Sequence, residues 1–504
     1  MVSSSLYVNL NTVNRRQFLL TSTAAALAQT TPRPNILFVI ADDWSHGHAG
    51  AYGAAWVKTP HFDRVAREGV LFHNAFTSNP KCSPCRATIL TGRNSWQLKE
   101  AINHNSIFPN EFAVYPAVLE QAGYFVGLTG KGWGPGDFKS TGWKHNPAGR
   151  EYQKLTNKPP TNGISNRDYA GNFADFLSQR PKGQPFCFWL GGQEPHRAYE
   201  DGSGLRAGKQ LADVKVPAYF PDNRTVRSDM LDYALEVEWF DTHLGRALAK
   251  LEEIGELENT LVVVTSDHGM PFPRIKGQIY EQGFHIPLAI RWGKLTTGGR
   301  NVNDFINTRD FAPTFLEAAG VKAPPTVTGK SFVDVLKSPK SGTVDASRDV
   351  MLIAKERHDL GRPNDGGYPV RAIRTPEFLY VRNFEPARWP AGNPETGYRN
   401  VDDSPTKTLM LSTFDKNYQL AFGFRASEEL YKVSEDPECL KNLAASLDYT
   451  QVKRTLRDRM ETMLKEQGDP RYNGNAAFFD TIDYHGPKKH SYDTWLKNQM
   501  PTKE

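Results

Sequence analysis

The sequence predicts an α/β fold: a large mixed, mainly parallel sheet flanked by helices, then a smaller C-terminal antiparallel sheet with a helix. Three observations carry that expectation. The runs Asn35–Ala41 and Leu261–Ser266 are apolar without alternation, as a strand covered on both faces requires. Between them Met230, Ala234, Val237, Phe240, Leu244, Ala247, Leu251 and Ile254 recur at three- and four-residue steps, so strands alternate with helices that bury one face. Beyond residue 370 the pattern turns to the alternation of half-solvated strands.

In chain order, residues 1–31 read as a leader. Asn14-Arg15-Arg16-Gln17-Phe18-Leu19-Leu20 precedes a small apolar run from Thr21 to Ala28, the pattern of a twin-arginine export signal, so an exported, periplasmic protein is expected. That run is shorter than the ~20 residues needed to span a bilayer, and no later stretch approaches such a length. A large domain is expected over 32–370 and a smaller α+β domain with the tail over 371–504. Strands are expected at Asn35–Ala41, Phe186–Leu190, Leu261–Ser266 and Pro287–Trp292, with a helix over 227–255. Thr308 is expected to cap a helix that Gly320 stops. Further on, Arg371–Arg382 and Glu429–Val433 read as strands and 447–466 as a helix. The Gly-, Pro- and Asn-rich stretches 140–166, 197–225 and 384–408 are expected either to wall an active site or to be mobile.

Composition narrows the function classes. With 504 residues the chain exceeds one ordinary core, and 23% charged with 39% hydrophobic residues excludes a disordered or membrane chain. The net charge of +5 is spread without a long basic run, which argues against a nucleic-acid partner. Four cysteines in this length are no disulfide framework.

The chemistry-bearing residues lie at strand ends and at one helix start. Asp42-Asp43 follows the first interior strand and Asp267-His268 the second, and ligands of open α/β sheets bind at that edge. Carboxylate oxygens there suit a hard divalent cation, calcium ahead of zinc. The stretch Cys82-Ser83-Pro84-Cys85-Arg86-Ala87-Thr88-Ile89-Leu90-Thr91-Gly92-Arg93 reads as a helix with Ser83 as cap, Pro84 at the first position and Gly92 as stop. Cys82 is then expected just outside a positive helix end, which favours an anion and lowers a thiol's pKa. By itself Cys82-x-x-Cys85 also reads as a redox pair, half a zinc site or a disulfide, although Cys187 and Cys439 are too distant and single to complete a zinc site.

The same stretch resembles the signature of the type I sulfatases, Cys-x-Pro-Ser-Arg followed by Thr-Gly-Arg. Cys82, Pro84, Arg86, Thr91, Gly92 and Arg93 match, and Cys85 replaces the usual Ser. The resemblance covers nearly the whole chain after the leader. It implies an alkaline-phosphatase-like fold with a catalytic domain over 32–370. It also implies that a formylglycine-generating enzyme oxidises Cys82 to formylglycine, whose hydrated aldehyde attacks sulfur. By resemblance, Ca2+ is held by Asp42, Asp43, Asp267 and His268, with residue 82 completing the shell. Arg86, one turn on, would orient the nucleophile. Lys131 in Thr129-Gly130-Lys131-Gly132-Trp133-Gly134 and Lys276 in Lys276-Gly277-Gln278-Ile279-Tyr280-Glu281 resemble the family's sulfate-binding lysines. His196, after Glu194-Pro195, resembles its proton donor. Trp133 stands where many members carry a His, with His104 and His145 as candidate substitutes.

Three further points resemble heparan N-sulfatases: Asp267-His268-Gly269-Met270-Pro271-Phe272-Pro273, Glu194-Pro195-His196-Arg197, and Glu429-Leu430-Tyr431 with Asp436-Pro437 and Asn442-Leu443. They imply a sulfated oligosaccharide substrate and release of the N-sulfate of terminal glucosamine in heparin or heparan sulfate. His358, Arg362 and Arg371, near the domain junction, are expected to contact carboxylate or sulfate groups elsewhere on the sugar. Alternative readings are an O-sulfatase on a related glycan, a phosphodiesterase or phosphonate hydrolase of the same fold, and a non-catalytic sulfated-glycan-binding protein. Cys85 and Trp133 are the departures that point to the last.

Overall fold

The computed structural model describes Met1 and residues 33–489 and 491–499; the twin-arginine segment lies outside the described residues. Strand β1 (Asn35–Ala41) is buried at every position. Leu37, Val39 and Ala41 enter one core and Ile36, Phe38 and Ile40 another, so a sequence without alternation serves two faces at once.

Strands β2 (Val70–Phe76), β3 (Phe125–Gly130), β4 (Phe186–Gly191), β5 (Thr260–Ser266), β6 (His285–Trp292), β7 (Arg300–Val302) and β8 (Ile306–Asn307) complete an eight-stranded sheet. Its order is β8-β2-β6-β5-β1-β4-β3, with β7 also on β2. β1 runs parallel to β4 and β5, whereas β6 is antiparallel to β5 and β2, so the sheet is mixed and mainly parallel. Helix α1 (Cys82–Thr91) covers the Ile36 face, its Ile89 and Leu90 packing in one cluster with Phe311 and Phe315 of α3 (Phe311–Ala318). The long α2 (Arg224–Glu253) covers the opposite face through Met230, Val237, Phe240 and Leu244.

The smaller sheet is antiparallel, in the order β9 (Met351–Lys355), β10 (Val370–Arg374), β11 (Leu379–Asn383), β12 (Glu428–Tyr431). Its first strand comes from before residue 370, because β9 pairs with β10 along its whole length. Ile353, Ala372, Leu379 and Val381 pack against Ile279, Tyr280 and Phe284 of the large domain. The other face is covered by α4 (Thr450–Glu466) through Leu456, Met460 and Leu464. Arg374 of β10 ties the smaller sheet to the helical turn just before β6 with two bonds to Glu281 (2.9 and 3.0 Å).

Three local details differ from the sequence expectation. Helix α1 starts at Cys82 itself, with extended Lys81 in the cap position; Ser83 Oγ makes no capping bond, and Pro84 fits inside the first turn, where its missing N–H is not needed. Asn307, not Thr308, caps the turn before α3, its Oδ1 accepting from Arg309 N (3.0 Å), while the Thr308 hydroxyl pairs with Thr88 (3.0 Å). The alternating run 371–382 is a hairpin rather than one strand, closed where Thr375 N donates to the Phe378 carbonyl (2.8 Å).

Candidate active site

The carboxyl ends of β1 and β5 lie side by side because the strands pair in register, with Ala41 opposite Ser266. The chain leaves β1 through Asp42 and Asp43, and Asp43 adopts φ 76, a left-handed conformation that costs a non-glycine residue roughly 1–2 kcal/mol. The turn is stitched to β5: Asp43 N donates to Asp267 Oδ1 (3.1 Å) and Trp44 N to Ser266 Oγ (2.8 Å). Cys82, at the start of α1, is buried against these ends. Ligand atoms of Asp42, Cys82, Asp267 and His268 all lie within 4.8 Å of one another. His268 Nε2 is 3.3 Å from Cys82 Sγ and 3.1 Å from Asp43 Oδ1.

Cations surround this cluster. Arg86 is completely buried and donates from Nε to Asp267 Oδ2 (2.9 Å), from Nη2 to Asp42 Oδ1 (3.4 Å), and from Nη1 to the carbonyls of Lys131 (2.6 Å) and Gly132 (3.1 Å). It therefore locks both strand ends and the loop after β3 to one helix. Lys131 Nζ bonds Asp42 Oδ2, and Lys276 Nζ reaches Asp43 Oδ2 (2.6 Å) and Asp402 Oδ2 (3.0 Å). His196 is partly exposed; its Nδ1 donates to the Arg197 carbonyl (2.5 Å), which leaves Nε2 4.0 Å from Asp43 Oδ2.

The charges perturb one another in a definite sense. Burial would raise Asp42, but Lys131 and Arg86 hold it well below the usual carboxylate range. Burial and the Asp42 charge would raise the Cys82 thiol, yet Lys131, Lys276 and His268 bring it well below its ordinary value. Asp267 moves the other way, pushed up to about 7 by burial and by Asp42 despite His268 and Arg86. This crowding of carboxylates is what a hard cation relieves. Asp43 Oδ1 is buried and makes no hydrogen bond among the described residues, with His268 Nε2 close by at 3.1 Å. An oxygen-rich set with one imidazole, and a buried carboxylate oxygen left without a hydrogen bond, fits a divalent metal.

Beside the cluster open two adjoining cavities of about 490 and 420 Å³, which share His104, His196 and Arg197. The first holds Asp42, Cys82 and Lys131; the second holds Lys81, Lys276 and Asp402. Gly163, Ser165, Arg197, Arg399 and Asp402 line them, so all three Gly- and Pro-rich insertions contribute wall. His104 Nδ1 is held by Asp359 Oδ1 (2.7 Å), while Nε2 is buried without a partner among the described residues. Burial would lower its pKa, but Asp359 and the neighbouring Cys82 raise it. His145 lines neither cavity, and Trp133 is buried against Phe108 and Phe138.

The three residues expected to touch the rest of the sugar are placed elsewhere. Arg371 is sealed between Asp469 (2.5 and 3.0 Å) and Glu356 (2.8 Å). His358 is buried with Nε2 on Asn79 Oδ1 (2.9 Å), and neither cavity includes it. Arg362 donates to the carbonyls of Trp389 (2.7 Å) and Pro390 (2.9 Å) and lines a separate cavity of about 550 Å³. Each basic side chain meets an internal partner that its local sequence does not announce. Conversely, Lys81, Asp359, Arg399 and Asp402 enter the site unforeseen; Lys81 directly precedes Cys82, and Arg399 and Asp402 lie in the insertion 384–408 expected as wall.

Fold and site together define a class: an α/β protein of mixed sheet whose strand-end carboxylates, buried cations and helix-start residue converge beside a cavity, an arrangement suited to hydrolysis of an anionic ester. A model of the Sulfatase family matches residues 34–321, and the chain belongs to the sulfatase family, enzymes that hydrolyse sulfuric esters. It is 30% identical over 454 residues to an ulvan-active sulfatase of Formosa agariphila, covering 87% of this chain and 81% of the relative. To the human N-sulphoglucosamine sulphohydrolase it is 27% identical over 495 residues, covering 88% and 92%. Among solved structures, one captured with its substrate D-glucosamine-2-N,6-O-disulfate superposes with a TM-score of 0.64 at 21% identity, over 90% of this chain and all of that one. A 2-O glycosaminoglycan sulfatase gives 0.64 at 18%, over 92% and 99%. These structural likenesses establish the fold.

Proposed function

We propose that this sulfatase removes the N-sulfate of terminal glucosamine in heparin or heparan sulfate. The observation that carries the choice is the interlock of two segments that resemble heparan N-sulfatases: Arg197, after Glu194-Pro195-His196, donates from Nε to the carbonyl of Pro271 in Asp267-His268-Gly269-Met270-Pro271-Phe272-Pro273 (2.8 Å). The likeness to the human N-sulphoglucosamine sulphohydrolase supports the same reading.

Asp42, Asp43, Asp267 and His268 would hold Ca2+, with the side chain at 82 beside them; the Cys82 thiol stands for the residue that the maturation enzyme oxidises. When present, the ion supplies positive charge and the hydrated aldehyde of formylglycine an oxygen nucleophile. Arg86 keeps the strand-end carboxylates in place. Lys131 and Lys276 neutralise the sulfate oxygens as charge shifts onto them. His196, its Nδ1 fixed on the Arg197 carbonyl, delivers a proton from Nε2 to the departing nitrogen. His104, oriented by Asp359, offers Nε2 beside position 82, the place that Trp133 leaves without an imidazole. The leader motif supports twin-arginine export to the periplasm.

The test is sulfate release from N-, 2-O- and 6-O-sulfated heparin disaccharides, beside aryl sulfate and aryl phosphate. Preferential cleavage of the N-sulfated disaccharide supports the proposal. Preference for an O-sulfate, a reading favoured by the likeness to an N-acetylglucosamine-6-O-sulfatase, overturns it.

A further inference from the structure

One carboxyl at the cavity wall has no part in the chemistry above. Glu236, in the middle of α2, is 2% exposed and lines the cavity of about 490 Å³ that holds Cys82, Lys131 and His196. Both its carboxyl oxygens are buried with no hydrogen-bond partner among the described residues. The polar groups around it are committed elsewhere. Arg197 grips Asp229 with two bonds (2.7 and 2.8 Å), and Glu194 accepts from the Tyr169 hydroxyl (2.8 Å) and Ser165 N (2.8 Å). Asp232 accepts from Gly202 N (2.9 Å) and Gly204 N (2.8 Å), and the Tyr199 hydroxyl donates to the Pro195 carbonyl (2.5 Å).

A buried polar group without a partner costs roughly 1–3 kcal/mol, so Glu236 is a standing demand for hydrogen bonds on a wall where substrate must lie. Burial, and then the charge of Glu194, push its carboxyl well above the usual range, outweighing Arg197. In the neutral form it both donates and accepts, and it adds no negative charge against an anionic substrate.

We propose that Glu236 is a sugar-binding residue that exchanges hydrogen bonds with a ring hydroxyl of the sulfated sugar while the sulfate lies against Lys131 and position 82. The proposal rests on the sulfatase reading of the site but not on the choice of N-sulfate, since any hydroxylated ring carries the group it needs. An aryl sulfate does not.

Matured wild type, Glu236→Gln and Glu236→Leu are compared on 4-nitrophenyl sulfate and on the sulfated disaccharide that the wild type cleaves best. For Glu236→Leu, kcat/KM on the sugar falls about tenfold further than on the aryl sulfate, chiefly through KM. Glu236→Gln, which keeps a donor and an acceptor, restores most of that difference. Glu236→Leu melts no lower than the wild type, because it removes an unmatched polar group rather than a contact. Parallel losses on both substrates, no loss on the sugar, or a lowered Tm without a substrate difference overturns the proposal. If only O-sulfated sugars are cleaved, the N-sulfate assignment fails and the same comparison is made on them. If no sugar is cleaved, calorimetry of an N-sulfated heparin disaccharide with Cys82→Ala, with and without Glu236→Leu, decides: tenfold weaker binding supports the proposal, and equal or absent binding sinks it.

Discussion

Arg86 and Arg371 are both completely buried and each faces two carboxylates, yet they do opposite work. Around Arg371 every charge is answered: Asp469 uses both oxygens on it, and Glu356 bridges it to Arg471 (2.7 Å). Around Arg86 the pairing stays open, with ligand atoms of Asp42, Asp267, His268 and Cys82 turned toward one another beside a cavity. A buried charge therefore does not mark a site. Buried atoms left unmatched next to open space do, because their desolvation is offset only when something binds.

The sharpest way to break this comparison is at its open end. Cys82→Ala should reduce sulfate release by at least about 10⁴-fold with little change in melting temperature, since it removes the nucleophile's precursor and, of the packing, only the 3.3 Å contact with His268 Nε2. A residual rate near the wild type would end the assignment. His196→Ala should cost about 10²–10⁴-fold on a sugar and clearly less on 4-nitrophenyl sulfate, whose leaving oxygen needs no proton. Equal losses on the two substrates would take the proton donor's role from His196.

At the closed end the loss should appear in stability. Arg371→Leu leaves Asp469 buried without its cation and Glu356 with Arg471 alone, and should destabilise the fold by about 3–5 kcal/mol, read as a lowered denaturation midpoint, while activity per folded molecule persists. A drop in activity at full stability would return Arg371 to the substrate. The smallest effect concerns the tie from the smaller sheet to the helical turn before β6. Burial would raise Glu281, but Arg374 and His285 depress it from 4.5 to about 2. A depressed carboxyl stabilises the fold above its unfolded value and loses that contribution as pH falls, so on the order of 3 kcal/mol should vanish between about pH 4.5 and 2. Thermal melts of Glu281→Gln should be flatter over that window; an identical slope would refute the tie.

The strand runs Asn35–Ala41 and Leu261–Ser266 were legible because two-sided burial writes itself into consecutive residues, and the pairs Asp42-Asp43 and Asp267-His268 that follow them are necessarily at strand ends. The hairpin at 375–378 was hidden because both its strands share one alternation. The cap at Asn307 was hidden because Thr308 is chemically as good a cap, and only its pairing with Thr88 distinguishes them.

By itself the amino-acid order determined the interior strands, the residues at their ends and the presence of a helix stopped by Gly92, since each depends on near neighbours in the chain, though not that this helix opens at Cys82. Which charges are neutralised was decided only by tertiary structure. Arg371 meets Asp469, and Glu236 finds no hydrogen-bond partner among the described residues, through the way segments far apart in sequence approach, and no local period encodes such partners.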